Sequence, residues 1–432
     1  MISKHFPRNV FSETGSFTTR RAWLVRSTAG LALTLLRRGA TAADLIGESG
    51  KQTKPTDEAL TAARREVIRP LLYSREDLDR WLAGKAFPFA QYDPELGYLH
   101  IDRRFREGVD GAVCTYSYDR NGARRGLEYA GHLCRVNTYG NSFTACEQVS
   151  DHETWQEILA GHLGEPIRNF GIGGYSIYQA YLRMRREEQR SPSKYIIFNI
   201  YDDDHYRNLN GWQRPRFRVR RIAADPPVPH VKVDPETQTF VECPNPCPTP
   251  ESLYQLCDLD KASALFAQDY GINRIARREI LRAQGMTPPE SEFYDPDYTR
   301  SALYATMRII ELVERFATQE KRQVLYVLSC GAKRIRRFVK EGKRFDSSLV
   351  EFVNQRGLKY VDLLQTHVND LGKTELEAYL AHHFVVAYKP GKNAGHYTPL
   401  GNLFCAFALK DKLVQMLQPP PPAYAPSSDA DI

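Results

Sequence analysis

One serine and one distant histidine stand in contexts that suit nucleophilic catalysis. Ser142 lies in residues 140–144 (GNSFT), which follow an apolar-leaning run and precede a helix-like segment. His396 lies in residues 395–402 (GHYTPLGN). A serine hydroxyl is a poor nucleophile at neutral pH and needs a neighbouring base. We therefore predict that Ser142 attacks an electrophile, and that His396 takes its proton and returns it to the leaving group.

Two segments between them end predicted strands with glycine or acidic residues. Residues 166–176 (PIRNFGIGGYS) read as a short strand that enters a glycine-rich turn, and residues 195–204 (YIIFNIYDDD) as a buried strand that enters three aspartates. In an open α/β sheet, the residues that follow the carboxyl ends of the strands form the ligand site. The sequence therefore predicts that Ser142, the glycine-rich turn and the aspartates meet at one edge of a sheet.

The ordered set Gly-x-Ser, Asn-x-Gly-x-Gly-Gly, strand-Asp-Asp and Gly-His-x-Thr-Pro-x-Gly resembles the SGNH (GDSL-type) hydrolase superfamily over roughly residues 95–415, with an insertion. The resemblance implies a three-layer α/β/α core with a five-stranded parallel sheet. It also implies ester hydrolysis without a cofactor or a metal. The oxyanion hole would combine backbone N–H groups of Ser142 and Gly174 with a side chain at position 203.

Three positions depart from the superfamily pattern. The usual Asp of the first block is Asn141, the usual Asn of the third block is Asp203, and the usual acid three residues before the histidine is Asn393. An ionised Asp203 cannot donate a hydrogen bond to an oxyanion, whereas an Asp203 protonated under the influence of its acidic neighbours could. Asn393 is the predicted partner of His396 by spacing, with Asp362 and Asp370 as alternatives.

The chain divides into six predicted segments: a twin-arginine-type signal peptide (1–42), a helical and β segment (43–130), the first part of the core (131–205), an insertion or lid (206–299), the second part of the core (300–418) and a disordered tail (419–432). Arg20-Arg21, a short apolar stretch and Ala40-Thr41-Ala42 carry the signal-peptide prediction. We therefore expect an exported protein, periplasmic or extracellular. No later segment approaches about 18 consecutive apolar residues, so we expect no stable membrane insertion of the mature chain.

The charge distribution bears on the binding partners, and the cysteine content bears on disulfide bonds. Seven basic residues and one acid in residues 1–42 account for most of the net charge of +7, so no nucleic-acid partner is predicted. Eight cysteines in an oxidising compartment favour a disulfide. We expect it among Cys243, Cys247 and Cys257, because a zinc site would need a fourth ligand at suitable spacing.

The predicted substrate is an ester, and the favoured one is an O-acetyl group on a carbohydrate. This choice rests on the predicted compartment, on the resemblance, and on basic and aromatic residues such as Trp212 that open the insertion. A lipid or small aliphatic ester is the second alternative. The third is a catalytically weakened SGNH-fold protein that binds extracellular polysaccharide, which the three departures favour. The sequence leaves the acyl group and the oligomeric state open.

Overall fold

The computed structural model describes residues 56–85, 89–217, 226–288, 295–385 and 395–425. The predicted signal peptide, Asn393 and residues 426–432 of the predicted tail lie outside them. The chain forms two compact units: residues 1–63 with 277–288, and residues 64–276 with 289–432. The described part of the first unit contains the beginning of the helix Asp57–Ile68 and the end of the helix Tyr270–Ala283. All further description concerns the second unit.

The described strands are β1 Ala90–Asp93, β2 Gly97–His100, β3 Arg103–Arg106, β4 Val113–Tyr116, β5 Val136–Tyr139, β6 Arg168–Asn169, β7 Tyr195–Tyr201, β8 His230–Asp234, β9 Thr239–Cys243, β10 Gln323–Ser329 and β11 Tyr360–Asp362. The described α-helices are α1 Asp57–Ile68, α2 Arg75–Leu82, α3 Ser142–Ala145, α4 Trp155–Leu163, α5 Ile177–Arg190, α6 Asp204–Arg207, α7 Arg214–Phe217, α8 Leu259–Leu265, α9 Tyr270–Ala283, α10 Pro296–Gln319, α11 Ala332–Glu341, α12 Ser347–Gln355, α13 Leu363–Leu371, α14 Leu376–His383 and α15 Pro399–Met416.

A five-stranded parallel sheet forms the centre, in the order β11–β10–β7–β5–β6. Its two faces are visible along β7, where Ile196, Phe198 and Ile200 belong to one apolar core and Tyr195 and Ile197 to the other. Side chains alternate along a strand, so a strand that is apolar throughout is covered on both faces. Helices α5 and α10 cover the first face, and α4, α11, α13, α14 and α15 cover the second. This three-layer α/β/α arrangement confirms the predicted fold class.

The segment before the sheet contains two short antiparallel strand pairs, β1 with β2 and β3 with β4. These pairs lie within residues 43–130, where the sequence predicted a helical and β segment. The strands place Tyr98 and Arg103 beside the residues that follow the central sheet, as described below. The boundaries proposed for the six segments remain predictions.

The insertion, residues 206–299, shares an apolar core with the N-terminal helices. Trp212 is fully buried there and stacks on Phe266 with ring centroids 5.1 Å apart, beside Ile68 and Trp81. Trp212 is therefore a packing residue, and the prediction that it supports carbohydrate binding is wrong. Residues 214–217 of the insertion form the short helix α7.

The predicted disulfide is absent, and all eight cysteines are free thiols. Cys247 is buried, with Sγ 3.5 Å from the carbonyl oxygen of Ser252. The Sγ atom of Cys243, at the end of β9, lies 3.8 Å from the carbonyl oxygen of Val241. Both thiols therefore lie close to carbonyl oxygens of their own local backbone. No helix in the described residues is long and apolar enough to cross a bilayer.

Candidate active site

Ser142 is the first residue of α3 and follows β5 directly, at the carboxyl edge of the sheet. Asn141 caps this helix, because its Oδ1 accepts a hydrogen bond from the Phe143 N–H at 2.9 Å. A side chain could not replace Gly140: a Cβ there would lie 2.3 Å from Thr144 Oγ1. The Gly-Asn-Ser sequence therefore forms a close strand-to-helix turn that places the Ser142 N–H at the start of the four-residue helix α3.

The chain reverses immediately after α3. Cys146 and Gln148 both have positive φ, 56° and 69°, a conformation that few non-glycine residues adopt. The buried Arg124 holds this turn by donating to three backbone carbonyls of residues 145–149 at 2.6–2.8 Å and by pairing with Asp151 at 2.9 Å. The reversal carries Glu147 and Gln148 back towards the start of α3.

His396 meets this same turn. Its backbone N–H donates to Gln148 Oε1 at 2.6 Å, and its ring Nδ1 lies 3.2 Å from that oxygen. Ring Nε2 lies 3.7 Å from Glu147 Oε2, and the ring centroid is 5.0 Å from that of Phe143. The structure therefore brings the predicted base to the turn that begins at Ser142. Among the described contacts, none is a hydrogen bond between Ser142 Oγ and the ring; such bonds often form only when substrate is bound.

Backbone contacts fix the segment that carries His396. The Val385 N–H donates to the His396 carbonyl at 2.8 Å, and the Thr398 N–H donates to the His383 carbonyl at 2.9 Å. Thr398 also caps α15, with Pro399 at the first helical position. Threonine followed by proline is a typical helix start, and this cap fixes the chain directly after His396.

The histidine is neutral at neutral pH and faces an ionised acid. Burial is the largest influence on His396 and lowers its pKa, Glu147 opposes that shift, and Arg207 and Arg103 add to it. For Glu147, burial favours the neutral form, but Arg103, His396 and His100 outweigh it and lower its pKa to about 2. Arg103 Nη2 donates to Glu147 Oε1 at 3.1 Å. The site therefore holds a neutral base beside a carboxylate.

Asp203 does not have the protonation that an oxyanion donor requires. Its carboxylate accepts from Arg207 Nε at 2.9 Å and from Arg216 Nη1 at 3.0 Å. Burial favours the neutral form, but these guanidinium groups hold the pKa of Asp203 well below its usual value. The alternative of a protonated Asp203 is therefore wrong, and this side chain cannot donate as the resemblance implied. Burial instead raises the pKa of Asp204 to about 8, where Asn141 Nδ2 donates to Oδ1 at 2.9 Å.

The glycine-rich turn after β6 packs against the serine turn. Gly174 is exposed with φ of 81°, and a Cβ there would lie 2.6 Å from the Tyr98 hydroxyl. A Cβ at Gly173 would lie 1.9 Å from Glu147 Oε1, so the carboxylate rests directly on this backbone. Within the described residues, the N–H groups of Ser142 and Gly174 have no acceptor. The role of these two groups as oxyanion donors stays a prediction.

The two alternative orienting acids have other partners. Asp362 pairs with Arg344 and caps α13. Asp370 accepts from the Tyr379 hydroxyl at 3.0 Å. Neither contact involves His396, and Asn393 lies outside the described residues, so its role stays a prediction.

Sequence reasoning missed Glu147, Gln148 and Arg103. Glu147 and Gln148 follow the serine block directly, but only the two positive-φ residues turn them towards His396, and no glycine or asparagine marks those positions. Arg103 comes from β3, in the segment before the sheet, where the sequence predicted no site residue. In the described parts of the chain, no group of three or more histidine, cysteine, aspartate or glutamate side chains is arranged so that it could hold a metal ion.

No family model matches this chain, and no curated protein matches it. Solved structures similar to it include an acetyl xylan esterase, 11% identical with a TM-score of 0.33 over 65% of this chain and 99% of that one. A GDSL-like lipase from Bacteroides thetaiotaomicron is 12% identical, with a TM-score of 0.31 over 66% and 89%. LAE5, an α/β hydrolase from the metagenome of Lake Arreo in Spain, is 11% identical, with a TM-score of 0.33 over 63% and 92%. TM-scores this low establish no shared site, and the fold class rests on the strand order and the two apolar faces.

Proposed function

We propose that this protein is a serine-dependent ester hydrolase in which Ser142 is the nucleophile and His396 the general base. One observation carries the proposal: the His396 ring contacts the turn that begins at Ser142, although the two residues are far apart in sequence. Through this contact, the segment before α15 lies beside the residues that follow β5, at the carboxyl edge of a parallel sheet. Sites of open α/β sheets form at this edge.

The geometry supports a two-stage acyl transfer. Ser142 Oγ would add to the ester carbonyl while His396 Nε2 takes its proton, and the N–H groups of Ser142 and Gly174 would bind the oxyanion. The imidazolium would then protonate the departing alcohol, which leaves an acyl group on Ser142 Oγ. Water, deprotonated by the same nitrogen, would release the acid. Because His396 is neutral at pH 7, it is ready to act as a base without prior deprotonation.

An acylated carbohydrate remains the proposed substrate, in preference to a lipid or small aliphatic ester. The burial of Trp212 removes one support for this choice. Its remaining supports are the predicted export and the resemblance of the motifs. Release of acetate from an O-acetylated polysaccharide, compared with turnover of long-chain nitrophenyl esters, decides between the two classes.

The test combines turnover with labelling. Purified protein is incubated with nitrophenyl acetate, and separately with a serine-directed organophosphonate, followed by mass mapping of the adduct. We expect turnover and an adduct on Ser142, and loss of both in Ser142→Ala. Ser347→Ala, which removes an exposed hydroxyl at the start of α12, is the matched control and should behave as the parent. A folded parent protein that shows neither turnover nor adduct overturns the proposal, and binding of polysaccharide by that protein would establish the non-catalytic alternative.

A further inference from the structure

The side-chain amide of Gln148 is held at both ends. Its Nε2 donates to the Glu107 carbonyl oxygen at 3.0 Å, and its Oε1 accepts from the His396 backbone N–H at 2.6 Å. A carbonyl can only accept and a backbone N–H can only donate. These two partners therefore determine which end of the amide is the oxygen, a choice that the shape of the amide alone leaves open.

The orientation of this amide determines where the proton of His396 lies. Gln148 Oε1 lies 3.2 Å from ring Nδ1. Neither the amide oxygen of Gln148 nor the ionised carboxylate of Glu147 has a proton to give, but only the amide oxygen lies within hydrogen-bond distance of the ring, and the contacts therefore favour the hydrogen on Nδ1. In the neutral ring the lone pair is then on Nε2, the nitrogen that faces Glu147.

Gln148 is rigidly placed for this contact. Its backbone N–H donates to the Tyr116 hydroxyl at 2.6 Å, and its own φ is 69°. On the opposite side, a Cβ on Gly395 would lie 2.1 Å from Gln148 Oε1, so any larger residue before His396 would displace the amide from this position.

We propose that Gln148 is the positioning residue of this site, and that its amide oxygen holds His396 as the Nδ1–H tautomer with Nε2 available as the base. The statement about the base rests on the function proposed above. The statement about the tautomer stands on the contacts alone.

The arrangement divides the work of a triad carboxylate between two residues. In a Ser-His-Asp triad one carboxylate both orients the imidazole and stabilises the imidazolium. Here the neutral Gln148 orients the ring from Nδ1, and Glu147 supplies negative charge from the Nε2 side. The other charged groups that act on the ring are Arg207 and Arg103, both of which disfavour the imidazolium.

The tautomer is measured directly by nitrogen NMR on the full chain labelled at histidine, with His396 assigned from the spectrum of His396→Gln. We expect the Nδ1–H tautomer in the parent and in Gln355→Met, the matched control, which changes an exposed glutamine at the end of α12. Gln148→Met keeps the length of the side chain but removes the acceptor, so the Nδ1–H population should fall. Its kcat should drop by up to about 10⁴, the cost of a wrong tautomer, with little change in KM.

Gln148→Glu distinguishes positioning from general structural damage. A carboxylate at Nδ1 would retain the tautomer and raise the pKa of His396, so kcat should exceed that of Gln148→Met and the acid limb of the pH profile should move to higher pH. An Nε2–H tautomer in the parent overturns the inference, and so does an unchanged tautomer in a folded Gln148→Met. If Gln148→Met does not fold, the parent spectrum still decides. A parent with the Nδ1–H tautomer but no esterase activity overturns the proposed function and leaves the inference intact.

Discussion

The carboxylate of Glu147 lies beside the Nε2 edge of His396, with Oε2 3.7 Å from that nitrogen. Glu147 lies in the turn that follows α3, the helix that begins at Ser142. Its other oxygen, Oε1, accepts a hydrogen bond from Arg103. Its charge opposes the burial that lowers the pKa of His396. Glu147 is thus placed to stabilise the imidazolium at the nitrogen that would gain a proton during catalysis.

The pH dependence of activity should report this balance. His396 must be neutral to accept a proton, so kcat/KM should fall as the pH drops through the pKa of His396, which lies below the ordinary 6.5. Glu147→Gln removes a charge that raises this pKa, so the midpoint of the acid limb should move to still lower pH, and kcat should decrease. Glu351→Gln, an exposed acid on α12, is the control and should leave the profile unchanged. A midpoint at or above 6.5 in the parent would contradict this account.

Arg124 should be essential to stability as well as to the site. Arg124→Met leaves Asp151 unpaired in a buried position and removes the donor from three backbone carbonyls of the serine turn. Breaking a buried ion pair by removing one partner costs about 3–5 kcal/mol. Urea unfolding should show a loss of this size. Arg300→Met, which breaks exposed pairs on α10, should cost no more than about 1 kcal/mol. Equal losses in the two variants would show that Arg124 does not hold the turn.

Substituting Gly174 should separate backbone strain from damage to the oxyanion hole. Gly174 and Gly342 have similar positive φ, 81° and 65°, but a Cβ at Gly342 would meet no atom within 4 Å. Alanine at either position should cost roughly 1–2 kcal/mol from the left-handed backbone. Only Gly174→Ala should also displace the Tyr98 hydroxyl and lower kcat/KM. If activity falls equally in both, the effect at Gly174 is one of stability alone.

Thiol titration should show that the protein contains no disulfide bond. Denatured protein that has not been exposed to a reductant should react with eight equivalents of a thiol reagent, because every cysteine is free. Prior treatment with dithiothreitol should change neither this number nor Tm. If only six thiols react before reduction and two more react after it, the protein contains one disulfide, as the sequence predicted.

Export is tested at the N-terminus. If residues 1–42 are a twin-arginine-type signal peptide, protein recovered outside the cytoplasm should begin at or near Ala43. Replacing Arg20 and Arg21 with lysine should retain the unprocessed chain inside the cell. Mass spectrometry of the two fractions measures both outcomes, and a chain that keeps Met1 and stays in the cytoplasm would contradict the prediction.

The sheet and the serine turn could be predicted because their signals are local. Most residues of strand β7 are apolar and buried, and Gly140 and Asn141 indicate a close turn before Ser142. The partners of His396 could not be predicted, because a glutamine and a glutamate carry no special pattern and reach the ring only through positive-φ backbone at Cys146 and Gln148. The ionisation of Asp203 could not be predicted from the sequence either. It depends on Arg207, one helical turn later, and on Arg216 from the insertion, which the sequence does not place beside it.

The neutral side chain of Gln148 has a consequence for how the catalyst responds to acid. An orienting carboxylate can itself be protonated as the pH falls, which adds a second ionisation to the loss of activity. An amide does not titrate, and the pKa of Glu147 is already about 2. The logarithm of kcat/KM should therefore decline on the acid side with unit slope, governed by a single proton on His396, until the pH reaches values at which the fold itself is at risk.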